Sequence, residues 1–288
     1  MEKLEKGNKR KIIGIDIGGS TTKIVGLHDN RIFSPLLVKA TDPVASMYGA
    51  FGKFLSVNKL SLHDIDRIMV TGVGSSFLTE KLYGIATGKV QEFTATGRGG
   101  LFSSGLSKAI IVSMGTGTAF VMADENGVNY IGGTGVGGGT LLGLSNRMLN
   151  IRSFDDLIEI ARDGNLRNVD LAIGDITKDQ VASFPPETTA SNFGKISDSA
   201  SKADIALGII NLVFQTIGML SVFASRMNHI KDIVLTGNLV QVPQAKDIFR
   251  SVEKLYDIRF HFPLNGEFAT AIGAAIVGME GMPFTEID

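Results

Sequence analysis

The chain has 288 residues, a formal net charge of −1, 44% apolar and 20% charged residues, and neither cysteine nor tryptophan. That apolar content is ample for a sizeable core and excludes disorder for most of the chain, and the near-neutral charge argues against a nucleic-acid-binding domain, which needs a basic stripe. Zero cysteine removes disulfides, Fe–S clusters, zinc ribbons and cysteine nucleophiles together. Residues 1–11 are charged and polar, so no secretory apolar stretch is expected there, and a cytoplasmic enzyme is the default expectation. Residues 12–25 read as an apolar β run, a glycine turn and a second β run; Asp29 and Asn30 then signal a turn before a short strand over 31–34. Residues 66–72 form a short apolar strand ending in Thr71 and Gly72. The same order returns further on: strand, glycine turn and strand over 110–122, a turn at 125–127, a short strand over 128–131, and a strand ending in Thr236 and Gly237.

Four echoes in matching order predict a duplicated α/β unit. The expected division is an N-terminal lobe over 1–108 and a C-terminal lobe over 109–288, the second enlarged by an insertion near 139–205. Helices are expected over 140–149 and 154–162, and from about 202 to 228. The polar stretch 175–201, with Pro185 and Pro186, reads as a loop able to reach a ligand. Residues 205–225 carry no charge and are long enough to cross a bilayer, but Asn211, Gln215, Thr216 and Ser221 interrupt them. They are expected to form a core or dimer helix instead.

Glycine turns between strands expose backbone N–H groups where no Cβ obstructs a ligand, which suits phosphate oxygens. Gly18, Gly19, Ser20, Thr21, Thr22 and Lys23 add hydroxyls and one ammonium, and Gly115, Thr116, Gly117 and Thr118 supply a second such turn. The two turns are expected to face each other across a nucleotide cleft and clamp a polyphosphate. A third glycine run over 132–140 precedes a helix, whose free N-terminal N–H groups are expected near the same phosphates. Within it, G-x-G-x-x-G occurs at 133–138 but follows a hairpin strand, so a dinucleotide reading is weak; no P-loop motif occurs. Asp16 closes an apolar strand two residues before the first turn. It is expected either to hold Mg²⁺ against the phosphates or to cap the turn. His28, His63, His229 and His261 lack metal-ligand spacing.

The run over 14–23 resembles the first phosphate motif of the acetate/sugar kinase, Hsp70 and actin superfamily, and within it the chain resembles the type II pantothenate kinases. The matches continue through 91–93, 114–117, 137–144, 163–170, 190–194 and 266–274. The resemblance implies duplicated ribonuclease H-like α/β lobes with a nucleotide cleft between them. It implies ATP- and Mg²⁺-dependent phosphorylation of pantothenate, the first step of coenzyme A synthesis, by a homodimer. It makes Glu92 the catalytic base; position alone leaves Glu92 either aimed into the cleft or a surface carboxylate opening a helix. The carried-over ATP contacts are Gly18 to Lys23 as named above, Thr116, Gly137, Gly138, Gly139, Thr140, Leu141, Phe154 and Asn238. Phe154 packs on adenine or belongs to a helix core.

Three positions depart from the family pattern. Tyr130 stands where a substrate- and phosphate-contacting arginine is usual, Ala119 where a serine is common, and Thr94 where an aspartate often follows the base. A tyrosine hydroxyl replaces neither the charge nor the fork of a guanidinium. Arg98 either supplies that charge to the substrate or is a solvated helix arginine. The alternatives are therefore a same-fold kinase for another small hydroxyl compound, such as a sugar or pantetheine, and a nucleotide-binding regulator without turnover. The related dehydratase-activating ATPases are excluded as a functional reading because their bridging cluster needs cysteines.

Overall fold

Strand β1 (Lys11–Ile17) and β2 (Thr21–His28) flank the first glycine turn, and β3 (Arg31–Lys39) extends the short third strand by five residues beyond expectation. Helix α1 (Pro43–Asn58), β4 (Arg67–Thr71), β5 (Thr87–Lys89) and α2 (Glu92–Ser104) follow. The second round is β6 (Ala109–Met114), β7 (Thr118–Asp124), β8 (Gly127–Thr134), α3 (Gly138–Leu149) and α4 (Phe154–Ile160). The expected loop over 175–201 holds some regular structure. Two residues, β9 (Leu171–Ala172), lead into a single-turn α5 (Ile173–Ile176), and β10 (Thr189–Ser191) pairs back on β9. The chain ends with α6 (Lys202–Asn228), β11 (Asp232–Thr236), α7 (Pro243–Tyr256), β12 (Arg259–His261), α8 (Ala269–Glu280) and β13 (Thr285–Ile287). The computed structural model describes residues 11–19, 21–39, 42–179, 181 and 184–287.

These elements make a six-stranded sheet, β13-β5-β4-β1-β2-β3, a five-stranded sheet, β12-β11-β6-β7-β8, and the small pair β10-β9. The chain divides into two compact units: residues 1–111, 121–130 and 263–288 form one, residues 112–120 and 131–262 the other.

In the first unit the six-stranded sheet is apolar on both faces. Ile13, Ile15, Ile17, Ile68 and Val70 point to α1, meeting Phe51 and Phe54. Ile12, Val25, Leu27 and Met69 point the other way, to Ala271, Ala274, Ala275 and Ile276 of α8. This is the period-2 alternation of strands covered on both sides. Gly14 sits where a Cβ would lie 2.0 Å from the carbonyl oxygen of Ala271, so α8 is seated directly on the backbone of β1. Asp16 and Thr71 fall on this α8 side of the sheet, paired in register at the strand ends.

In the second unit α6 is the core helix. Ser201 caps it: its hydroxyl accepts from the Asp204 N–H while Asp204 accepts from the Ser201 N–H, a reciprocal pair that sets the start where the sequence placed it. Asp204 also accepts from Asn165 N–H and Asn168 Nδ2, and these bonds pull its carboxyl down to about 2. By length and composition α6 is able to span a bilayer, but 61% of its most apolar stretch is buried in the protein. Its polar residues have internal partners: Asn211 Nδ2 donates to buried Asp170 at 2.7 Å, and Gln215 accepts from Asn192 at 2.9 Å.

Candidate active site

In the first unit four side chains gather at one end of the sheet. Asp16 stands one residue before the end of β1, Lys23 lies directly opposite it near the start of β2, Thr71 closes β4, and Glu92 opens α2, whose approach is fixed by the Val90 N–H bonding the Val70 carbonyl. Lys23 Nζ lies 3.9 Å from Asp16 Oδ2, and both side chains are largely shielded from solvent, at 9% and 14% exposure. Burial pushes the Asp16 carboxyl up, and Lys23 opposes it. Glu92 as a whole is exposed, yet its carboxyl lies against enough protein to lose hydration. That loss, and then the charge of Asp16, raise it above the usual 4.5, with Lys23 again opposing. Two carboxylates therefore share one ammonium. Such a set is short of positive charge, and its hard oxygens suit a Mg²⁺ ion that keeps several waters.

The turn itself is closed by the Gly18 N–H donating to the Thr21 carbonyl at 3.0 Å. A Cβ at Gly19 would meet nothing, so that face is open to a ligand. Ser20 lies outside the described residues. Thr22 is not on the turn's open side: it is buried, and its hydroxyl accepts from Ser46 Oγ of α1 at 2.7 Å. Arg98 is partly exposed and paired within the first unit. Its guanidinium bonds Glu280 of α8 at 2.5 Å with the side chain 19% exposed, so its charge is already committed. Tyr130 stacks on Phe93, ring centroids 4.3 Å apart and planes 19° from parallel, which sets an aromatic face next to Glu92. Thr94 is hydrogen-bonded weakly to Gln91 at the helix start.

In the second unit the turn after β6 and the start of α3 are built into one another. Gly138 N–H donates to the Gly115 carbonyl and Gly139 N–H to the Thr116 carbonyl, each at 2.9 Å. Gly137 N–H donates to Thr140 Oγ1, which itself donates to the Gly135 carbonyl. Two of the N–H groups at this helix start, those of Gly138 and Gly139, are thus taken by the chain's own carbonyls. Glycine is required here for packing: a Cβ on Gly137 would lie 2.7 Å from Thr116 O, and one on Gly117 2.9 Å from Thr134 O. Thr118, expected in the second phosphate turn, is buried and locks the same loop by donating to the Val136 carbonyl at 2.8 Å. Leu141 is wholly buried and Thr116 exposed; Ala119 is half-buried within β7. What this loop offers a ligand is a close-fitting, Cβ-free surface and the exposed Thr116.

Asn238 follows Gly237, and its Oδ1 is buried without a hydrogen-bond partner among the described residues. Gln244, which the sequence did not single out, has a similarly unpartnered Oε1 while its Nε2 donates to the Ile158 carbonyl of α4. Half-buried Phe154 opens that same helix. Buried amide oxygens without donors are uncommon in folded chains and mark places where a ligand donor is accommodated.

With this geometry in place, the similarities to known proteins are informative. The Fumble family model matches residues 105–247. The type II pantothenate kinase of Bacillus cereus (strain G9842) is 29% identical over 283 residues, covering 92% of this chain and 98% of that protein. Over most of its length the chain is similar to type II pantothenate kinases. Among solved structures, the activator of 2-hydroxyisocaproyl-CoA dehydratase from Clostridium difficile, with bound ADPNP, superposes with a TM-score of 0.66 at 18% identity. It covers 94% of this chain and 95% of its own. A ROK family glucokinase from Streptomyces griseus, in complex with glucose and AMPPNP, gives 0.61 at 13% identity, covering 94% and 100%. At those identities the likeness is one of fold: duplicated ribonuclease H-like lobes of the actin, Hsp70 and sugar kinase type.

Proposed function

We propose that this chain is an ATP-dependent kinase that transfers the γ-phosphoryl group of ATP to the hydroxyl of pantothenate. The observation that carries the reading is the Asp16, Lys23 and Glu92 cluster, held on two strands and a helix start that meet at one sheet end. Phosphoryl transfer needs charge neutralisation and a group to take the hydroxyl proton. Glu92 receives that proton as the acceptor oxygen forms its bond to phosphorus and ADP leaves. Its exposure lets an alcohol reach it, and its raised pKa makes it a better base than a free carboxylate. Asp16 would hold Mg²⁺, which when bound would supply positive charge at the phosphates. In the first unit Gly18, Gly19 and Lys23 offer a phosphate-binding surface; in the second the Gly115–Gly117 turn with its exposed Thr116 offers one, and Asn238 with Gln244 and Phe154 a base-binding surface.

Tyr130 favours a second reading of the acceptor. An arginine there would add a positive charge beside the carboxylates; the Tyr130 and Phe93 stack adds an uncharged flat wall instead. A neutral hydroxyl compound such as pantetheine fits that wall without an ionic partner. Coupled ADP release with ATP, Mg²⁺ and either pantothenate or pantetheine tests both. Turnover with pantothenate supports the first reading and turnover with pantetheine alone the second; none with either leaves a nucleotide-binding regulator. Tyr130→Arg is expected to lower the pantothenate KM about tenfold relative to that of pantetheine, the scale of one charge-assisted hydrogen bond. Equal effects on both acceptors would place Tyr130 outside the pocket.

The protein works in the cytoplasm as a homodimer in this reading. The outer side of α6 exposes Phe223 and Met227, and α3 exposes Leu142 and Met148, an apolar face suited to a second copy. Light scattering of the purified protein is expected to give twice the chain mass; a monomer would remove this assignment.

A further inference from the structure

Thr71 is fully buried at the end of β4, in register with Asp16, and its hydroxyl has no hydrogen-bond partner among the described residues. A threonine there for shape alone has no advantage over valine, which fits the same strand position without burying an unpaired hydroxyl. The internal repeat provides a comparison within the same chain. Thr236 ends β11 as Thr71 ends β4, and its hydroxyl donates to the Val112 carbonyl of the neighbouring strand at 3.3 Å. The backbones match closely. Gly72 and Gly237 have φ of 85° and 87°, and a Cβ on either would lie about 2.5 Å from the carbonyl oxygen of Ile17 or Met114. The difference is the neighbour: Asp16 in the first repeat occupies the place of Ser113 in the second. Asp16 Oδ1 already lies over the Cα of Gly72, close enough that a Cβ there would meet it at 2.6 Å.

We infer that Thr71 is a positioning residue for Asp16: its hydroxyl donates to the Asp16 carboxylate when that carboxylate engages the bound nucleotide and its ion. The second repeat needs no such device, because it carries no carboxylate at that place, and there the hydroxyl is spent on the backbone. This inference rests on the reading of Asp16 given above.

The test compares wild type, Thr71→Val, Thr71→Ser and Asp16→Asn in full-length protein. Three quantities are measured: melting temperature, kcat, and the Mg²⁺ concentration for half-maximal rate at saturating ATP. Thr71→Val is expected to melt no lower than wild type, because it removes an unpaired buried group. It should also lose about tenfold in kcat and need several-fold more Mg²⁺, with the acceptor KM within twofold. Thr71→Ser keeps the hydroxyl and is expected within about threefold of wild type. Wild-type kcat and Mg²⁺ dependence in Thr71→Val, beside an inactive Asp16→Asn, would overturn the inference while leaving the reading of Asp16 intact. A fully active Asp16→Asn would overturn both. Should the valine variant melt early, Thr71→Ala against Thr71→Ser separates the hydroxyl from the methyl; equal kcat in that pair would also overturn the inference.

Discussion

Glu92→Gln is expected to abolish turnover while leaving ATP bound as tightly as in wild type, or more tightly. Glutamine keeps the size and the hydrogen-bonding reach of glutamate but cannot accept the hydroxyl proton. Loss of a general base costs about 10²- to 10⁴-fold in rate. The binding half of the expectation follows from charge. Burial and then the charge of Asp16 raise Glu92's need for a proton, with Lys23 opposing, so removing one negative charge lessens the repulsion felt by an incoming triphosphate. The helix is not at risk: Glu92 is exposed and sits at its first position, where losing one carboxylate costs a few tenths of a kcal/mol up to about 1. Single-turnover ADP release and titration calorimetry with ATP and Mg²⁺ check the two halves separately. A variant that retains a tenth or more of wild-type kcat would mean that another group, or bulk water, takes the proton.

The repeat was legible in the sequence because its punctuation has a backbone cause. Gly72 and Gly237 are needed for positive φ and for clearance from a carbonyl, so the Thr-Gly pairs appear twice at equivalent places. The start of α6 was legible for a similar reason, since Ser201 and Asp204 satisfy each other's N–H groups locally. Contacts between distant segments were not. Arg98 reads as a solvated or substrate-facing arginine until α8, 182 residues on, places Glu280 against it. The α3 start reads as an anion site because its glycines leave N–H groups exposed in a bare helix; the fold brings the Gly115 and Thr116 carbonyls to them instead. Thr22 was grouped with the phosphate turn by adjacency, but strand alternation turns it toward α1. Gln244 carries no local signal and Thr71 only its place in a Thr-Gly pair, since an unpartnered buried oxygen exists only once the neighbours are in place.

Gly273→Ala is expected to destabilise the first unit strongly and to carry the Glu92 helix out of place. Helices α2 and α8 cross at backbone contact. A Cβ on Gly273 would lie 1.7 Å from the carbonyl oxygen of Ala95, and one on Gly99 1.7 Å from that of Ala269. The clash is with main chain, which cannot rotate away as a side chain can, so the two helices must separate. Overpacking of an ordinary core costs about 1–3 kcal/mol, and a backbone-on-backbone case falls at or above the top of that range. For a chain of this size that is a fall of about 10 °C in melting temperature. The separation also lifts the start of α2, and with it Glu92, away from Asp16 and Lys23, so the folded fraction should lose activity out of proportion to its stability. The contrasting variant is Gly52→Ala on the exposed side of α1, where a Cβ meets nothing within 4 Å. It is expected to stabilise the protein by about 0.5–1 kcal/mol through helix propensity and to leave kcat unchanged. Calorimetric melting of the two variants checks the ordering. Equal melting temperatures would mean that the helices part without cost, and α2 would then not be the rigid support on which the position of Glu92 depends.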